Sequence, residues 1–213
     1  MKVAPSILSA DFGNLLAEIK KAEKSGADLL HLDVMDGHFV PNLTFGPVVL
    51  QSLSGKTRLP LDVHLMVNNP EKFIVFFAPL KPLYITFHLE AVKNADDLIR
   101  QIKEQGIKAG LSIKPATAVS SLFEYLEKID LVLMMTVNPG FAGQAFMPEV
   151  LPKIKELRKE IESRKLNLDI EVDGGIKDNT ANLVKEAGAN ILVAGSAVFG
   201  SSDMKAAIAR LKE

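Results

Sequence analysis

Eight short apolar runs rich in β-branched residues recur along the chain. They lie at Val3–Leu8, Asp28–Val34, Leu61–Met66, Leu83–Phe87, Lys108–Ile113, Leu131–Thr136, Leu168–Val172 and Ile191–Ala194. Runs of that length read as buried strands. Between them the spacing turns helical. Leu15, Ile19 and Ala22 step along one face after Asp11, a candidate N-cap, and Leu98 and Ile102 repeat the pattern. Val150, Leu151, Ile154, Leu157 and Ile161 repeat it again, with the charges of 153–165 on a solvated face. Asp203 is placed to cap a last helix through Leu211. Three helical stretches end alike, in Ser25-Gly26-Ala27-Asp28, Gln105-Gly106-Ile107-Lys108 and Ala187-Gly188-Ala189-Asn190, each a glycine C-cap turning into a strand. Eight strands in 213 residues give a period of about 27, near the low end for a (β/α)8 barrel. An open doubly wound sheet is the competing arrangement. Equal units, with the polar residues of interest at strand C-termini, favour closure. The reading is α/β, a single TIM barrel over residues 1–213 with its site at the C-terminal ends of the strands.

Composition removes several kinds of chemistry. The formal net charge of −1 gives no field that would gather nucleic acid or an anionic membrane. Cysteine is absent, which excludes disulfides, thiolate nucleophiles and sulfur-based zinc sites. His, Asp and Glu are left as the strong metal ligands. The first residues lack the apolar run of a signal peptide, and no stretch approaches the roughly 18 apolar residues of a membrane span. The expectation is a cytoplasmic protein with neither nucleic acid nor membrane as partner.

Chemistry enters through alternation. A strand sends every second side chain to the same face. His31, Asp33 and Met35 therefore project together, as do His64 and Met66, and Asp173 follows a third strand just before Gly174-Gly175. Singly, a strand histidine is a core residue and Asp before Gly-Gly starts a turn. Four such residues at the same ends of different strands point to one metal, bound by His31, Asp33, His64 and Asp173. Mixed imidazole and carboxylate ligands suit zinc, manganese, iron or cobalt rather than magnesium or calcium. A metal that polarises a carbonyl acidifies the neighbouring C–H by neutralising the enediolate as it forms. Two carboxylates on opposite sides of a small substrate then invert that carbon, one taking a proton and the other returning one. Spacing alone leaves open which carboxylate does which.

Other features have two readings each. Met35, Met66 and Met135 each end a strand, where they either fill the barrel or line the reacting centre with non-basic sulfur. Glycine-rich loops follow the last three strands: Gly140-Phe141-Ala142-Gly143, Gly174-Gly175, and Gly195-Ser196. They are either tight turns or a cradle of backbone N–H groups for a phosphate. Lys114, at the end of the fifth strand, is the rival nucleophile for a Schiff base, which would leave the His/Asp cluster unexplained. His88 and Glu90, after the fourth strand, read either as residues that back the metal ligands or, more simply, as a satisfied structural pair.

With these residues in view, the chain resembles the ribulose-phosphate 3-epimerase family. The likeness runs from Ala4–Phe12 through His31–Asn42, Asp62–Val67, Val137–Gln144 and Val172–Ile176 to Ala194–Phe199. The resemblance implies a TIM-barrel isomerase with one divalent metal ion per subunit (Zn2+, Fe2+, Mn2+ or Co2+). It would interconvert D-ribulose 5-phosphate and D-xylulose 5-phosphate in the pentose phosphate pathway, as a homo-oligomeric cytoplasmic enzyme. Carried over by motif, His31, Asp33, His64 and Asp173 hold the metal, Asp33 accepts the proton and Asp173 donates it. Ser6 and His64 contact the sugar under a lid of Met35, Met66 and Met135. Gly140, Phe141, Ala142, Gly143, Gly174 and Gly175 line the substrate, and Gly195 and Ser196 hold the phosphate. Ala142 departs from the family, whose loop usually has a second consecutive glycine there. A six-carbon ketose phosphate such as D-allulose 6-phosphate, or a catalytically silent sugar-phosphate-binding barrel, are the alternatives.

Overall fold

The computed structural model describes residues 1–53 and 55–213. Eight strands pair in parallel: β1 (Lys2–Pro5), β2 (Leu30–Met35), β3 (Leu61–Met66), β4 (Tyr84–His88), β5 (Lys108–Ile113), β6 (Leu131–Met135), β7 (Asp169–Asp173) and β8 (Ile191–Ala194). Their order is β1-β8-β7-β6-β5-β4-β3-β2, and a parallel bridge between Ser6 and His31 brings the two ends of the sheet together. The expected barrel is the architecture found. Its helices are α1 (Leu15–Lys24), α2 (Pro47–Leu53), α3 (Ile74–Phe77), α4 (Ala95–Glu104), α5 (Leu151–Ser163), α6 (Asp178–Glu186), α7 (Ser196–Phe199) and α8 (Met204–Lys212). The connection from β5 to β6 carries a 3-10 turn, Val119–Leu122, in place of a helix. Among the described residues no helix is long and apolar enough to cross a membrane.

Strand alternation divides the molecule into two layers of different chemistry. Leu30, Leu32, Val34, Val63 and Leu65 join the helix residues Ile19, Leu50, Ile154 and Leu157 in one large apolar cluster. Each such side chain contributes about 1.5–3 kcal/mol when fully buried. That outer layer stabilises the fold and leaves the lumen free for polar side chains. Within the lumen Ala4, Leu131, Leu133, Ile191 and Val193 fill one side. His31, Asp33, Asp62, His64, Thr86, His88, Ser112 and Glu171 are buried polar residues on the other strands. At the N-terminal end Tyr84 donates its hydroxyl to Asp169 at 2.8 Å, and Asn190 and Lys2 also donate to Asp169. These bonds close that end.

Boundaries differ from the sequence reading where a side chain intervenes. β1 stops at Pro5 because the Ser6 hydroxyl accepts the Leu8 N–H at 3.3 Å and starts a 3-10 turn. Asp11 likewise caps a 3-10 turn by accepting the Gly13 N–H at 2.9 Å, so α1 begins at Leu15. Asp203 caps α8 as expected, accepting the Ala206 N–H at 3.0 Å. The three glycine phrases do end α1, α4 and α6. Gly188 shows why: its φ is +111°, and a Cβ there would lie 2.6 Å from Arg158 Cβ.

Candidate metal centre

Register brings the predicted ligands together. Asp33 pairs with His64, His31 with Asp62 and Met35 with Met66 across β2 and β3, while Met135 pairs with Asp173 across β6 and β7. Asp173 is the last residue of β7 itself, not a residue beyond it. His31 Nε2 and His64 Nδ1 lie 3.3 and 3.1 Å from Asp33 Oδ1. His64 Nδ1 is 4.0 Å from Asp173 Oδ2. One ligand atom from each of the four falls within 4.8 Å of the others. His31 Nε2 is buried and has no hydrogen-bond partner among the described residues. An orphaned imidazole nitrogen facing two carboxylates fits a cation between them. The opposite nitrogen, His31 Nδ1, lies 2.6 Å from Asp62 Oδ2. With its Nδ1 hydrogen donated to Asp62, His31 would present Nε2 as the nitrogen that holds a cation.

The two predicted proton carriers are in unlike electrostatic states. Burial opposes ionisation of Asp33, but the His31 and His64 imidazoles overcome it and hold the carboxyl well below the usual carboxylate range. Burial pushes Asp173 up to about 7, and the nearby Asp33 charge adds to the rise. Deeper in the lumen, burial and the Asp62 charge push Glu171 well above the carboxylate range. Burial pulls His31 down, yet Asp33 and Asp62 together raise it well above the imidazole range.

A cavity opens over this cluster at the C-terminal end of the barrel. Ser6, Asp33, Met35, Met66, Met135, Gly140, Phe141, Ala142, Gly143, Asp173, Gly174, Gly175, Gly195 and Ser196 all line it. His64 is fully buried beneath and is not among the lining residues. Ser6 donates its hydroxyl to Asp33 Oδ2 at 2.5 Å. The glycine loops are constrained as well as open. Gly175 has φ of +66°, and a Cβ on it would sit 2.6 Å from the Phe146 backbone nitrogen. Ala142 lies outside the left-handed region, so its backbone does not call for glycine. Asn42 donates to the Gly140 carbonyl at 2.7 Å, fastening the loop after β2 to the loop after β6. Lys114 holds its ammonium 3.9 Å from the centre of the Phe39 ring and does not line the cavity, which removes the footing of the Schiff-base alternative.

The profile of the Ribulose-phosphate 3 epimerase family matches residues 2–199. A ribulose-phosphate 3-epimerase from Bacillus subtilis is 53% identical over 213 residues, covering 100% of this chain and 98% of the relative. The chain belongs to the ribulose-phosphate 3-epimerase family. The cytoplasmic isoform of ribulose-phosphate 3-epimerase from Oryza sativa subsp. japonica is 47% identical, over 100% of this chain and 93% of its own length. A crystal structure of 3-hexulose-6-phosphate synthase superposes with a TM-score of 0.65 at 17% identity, covering 99% of this chain and 97% of that one, a likeness of fold alone.

For this member of the epimerase family the burial of the cluster has a measurable consequence. His64 and His88 are pushed down by burial, so above about pH 7 they are neutral in folded and unfolded chains alike. His31, Glu171 and Asp173 are raised in the folded chain, which therefore binds more protons than the unfolded one there. Stability then falls as pH rises. The metal-stripped protein is expected to unfold at lower urea at about pH 9 than at about pH 7, and a saturating divalent ion to remove most of the difference. A midpoint that climbs over that interval would contradict the raised carboxyls.

Asp62 and Glu171 escaped the sequence reading, although each stands two residues before a predicted ligand and so shares its face. Ser9, Gln144 and Lys177 also line the cavity. Gln144 donates to the carbonyls of Asn138 and Phe141 at 2.7 and 2.9 Å, a loop brace with no sequence signature.

Proposed function

We propose that this chain interconverts D-ribulose 5-phosphate and D-xylulose 5-phosphate by removing the proton at carbon 3 from one face and returning a proton to the other. One observation carries the reading: Asp33 and Asp173 open into a single cavity from β2 and β7, strands separated in the ring by β1 and β8, with their proton affinities pushed apart. Titratable groups pushed apart in this way divide into base and acid. Asp33, ionised and steadied by the Ser6 hydroxyl, takes the proton. Asp173, raised toward neutrality, gives one back from the far side. A divalent ion of the zinc, iron, manganese or cobalt type, held by His31, Asp33, His64 and Asp173, supplies Lewis-acid polarisation of the substrate carbonyl when bound. Met35, Met66 and Met135 exclude water from the reacting carbon without offering a competing base.

The phosphate belongs at Gly195 and Ser196, beside the loops of Gly140 to Gly143 and Gly174-Gly175, whose glycines all line the cavity. A Cβ at Gly195 would collide with the Ser9 hydroxyl, so Gly195→Val intrudes on that corner while leaving the metal cluster alone. It is expected to lower kcat/KM for ribulose 5-phosphate by roughly 10-fold or more, because phosphate contacts hold the reacting carbon in place. Equal turnover of ribulose 5-phosphate and free ribulose would show these glycines to be turns only. Allulose 6-phosphate is the decisive comparison substrate, since a longer ketose keeps every metal ligand. The proposed setting is the cytoplasm, in keeping with the name of the rice relative. Self-association is part of the same proposal. The exposed apolar side chains Phe12, Val48, Val75 and Phe76 support it, and sedimentation equilibrium tests it.

A further inference from the structure

His88 takes no part in the reaction proposed above, yet it is fully buried at the end of β4 and meets the cluster from behind. Its Nε2 lies 2.9 Å from His64 Nε2, a hydrogen-bond distance between two nitrogens. Only one of two neutral rings can carry the hydrogen in such a contact. The rings are inclined at 30° with centroids 5.0 Å apart, and Phe39 packs on His88 at 4.8 Å. The other nitrogen, His88 Nδ1, lies 3.4 Å from Glu90 Oε2, an ion-pair distance without hydrogen-bond geometry. Glu90 in turn accepts the Lys114 N–H at 2.8 Å and the Thr117 hydroxyl. His88 and Glu90 are therefore not a closed structural pair, because the chain of contacts continues into His64.

These contacts fix where the hydrogens sit once the metal reading is adopted. A cation held by His64 uses the lone pair of Nδ1, the nitrogen that faces Asp33 and Asp173. The hydrogen of His64 then sits on Nε2 and points at His88. His88 must accept it, so its own hydrogen sits on Nδ1, toward Glu90. A carboxylate only accepts, and this sets the direction of the whole chain. We infer that His88, backed by Glu90, is a positioning residue that accepts the Nε2–H of His64 and holds that ring with Nδ1 bare toward the metal cluster. The inference rests on the metal reading and deepens it. His31 is held by a carboxylate, Asp62. An imidazole behind His64 does the same work without adding another carboxyl beside Asp33, Asp62, Glu171 and Asp173, all gathered in one lumen.

Two measurements test it. In the unaltered protein, labelled with nitrogen-15 histidine and loaded with Zn2+, the His64 Nε2 proton is expected to exchange slowly with water. It should also couple to two nitrogens, its own and His88 Nε2. Separately, the metal-stripped protein is titrated with Co2+ against a competing chelator. His88→Leu removes the acceptor and is expected to bind Co2+ roughly 10–100-fold more weakly, with a shifted visible absorption. His88→Gln places an amide oxygen near the position of Nε2 and should recover most of the affinity and the spectrum. If His88 only filled space, the apolar Leu would serve at least as well as Gln. A proton found on His88 Nε2, or equal Co2+ affinity and spectra in the two variants, overturns the inference while the metal reading stands. Failure of the unaltered protein to bind either ion stoichiometrically overturns both. Should neither variant fold, the resonance measurement decides alone.

Discussion

Asp173→Asn is expected to reduce epimerisation by roughly 10²–10⁴-fold, the usual share of a positioned acid or base. An amide of the same shape neither donates nor accepts a proton at useful rates, and it keeps an oxygen toward His64. Metal content is measured alongside, so that loss of the ion is not mistaken for loss of the acid. On the proposed division, removal of the carbon-3 hydrogen of ribulose 5-phosphate falls to Asp33 and should survive in this variant as exchange with D2O. The unaltered protein should place deuterium at carbon 3 of its product on the first turnover, because the returning proton comes from a different carboxyl in contact with solvent. Asp173 retains 18 % of its side-chain surface, whereas Asp33 retains 5 %, in keeping with that division. Substantial return of the original hydrogen, or near-normal epimerisation by Asp173→Asn, would leave a single base serving both faces.

The barrel was legible because burial on both faces of each strand writes a continuous apolar run, and β3, β5 and β8 have the bounds that their runs predict. β1 was overrun because Ile7 and Leu8 are apolar for another reason, lying in a turn held by the Ser6 hydroxyl. The clustering of His31, Asp33, His64 and Asp173 was legible from alternation, and the same rule would have revealed Asp62 and Glu171 had it been carried one step back along β3 and β7. His88 was noticed with Glu90 after the fourth strand, but its contact with His64 was not read. Its contact with His64 depends on β3 and β4 running side by side with His64 opposite Thr86, which puts His88 one inward position further along. Such a relation between strands is absent from either strand read alone. The unlike proton affinities of Asp33 and Asp173 were equally out of reach, since both are aspartates until their neighbours are known.

His64→Ala should lower metal content and activity together. It removes one nitrogen of the four-residue cluster, the one nearest both carboxylates. Without it, Asp33 and Asp173 keep only the His31 imidazole to complete the set, which weakens their hold on a cation. Lewis-acid polarisation accounts for several kcal/mol of the barrier, and each 1.36 kcal/mol is a factor of ten. Turnover is therefore expected to fall by about 10³-fold, and added Zn2+, Mn2+, Fe2+ or Co2+ at high concentration should restore part of it. The barrel should remain folded, because the apolar layer between strands and helices is untouched and His64 belongs only to the lumen. Some stability is lost all the same, since His88 Nε2 is left without its partner, at about 1–3 kcal/mol for a buried polar group. Circular dichroism separates that loss from unfolding. A folded His64→Ala protein that keeps both its metal and its turnover would show that the four residues do not share an ion.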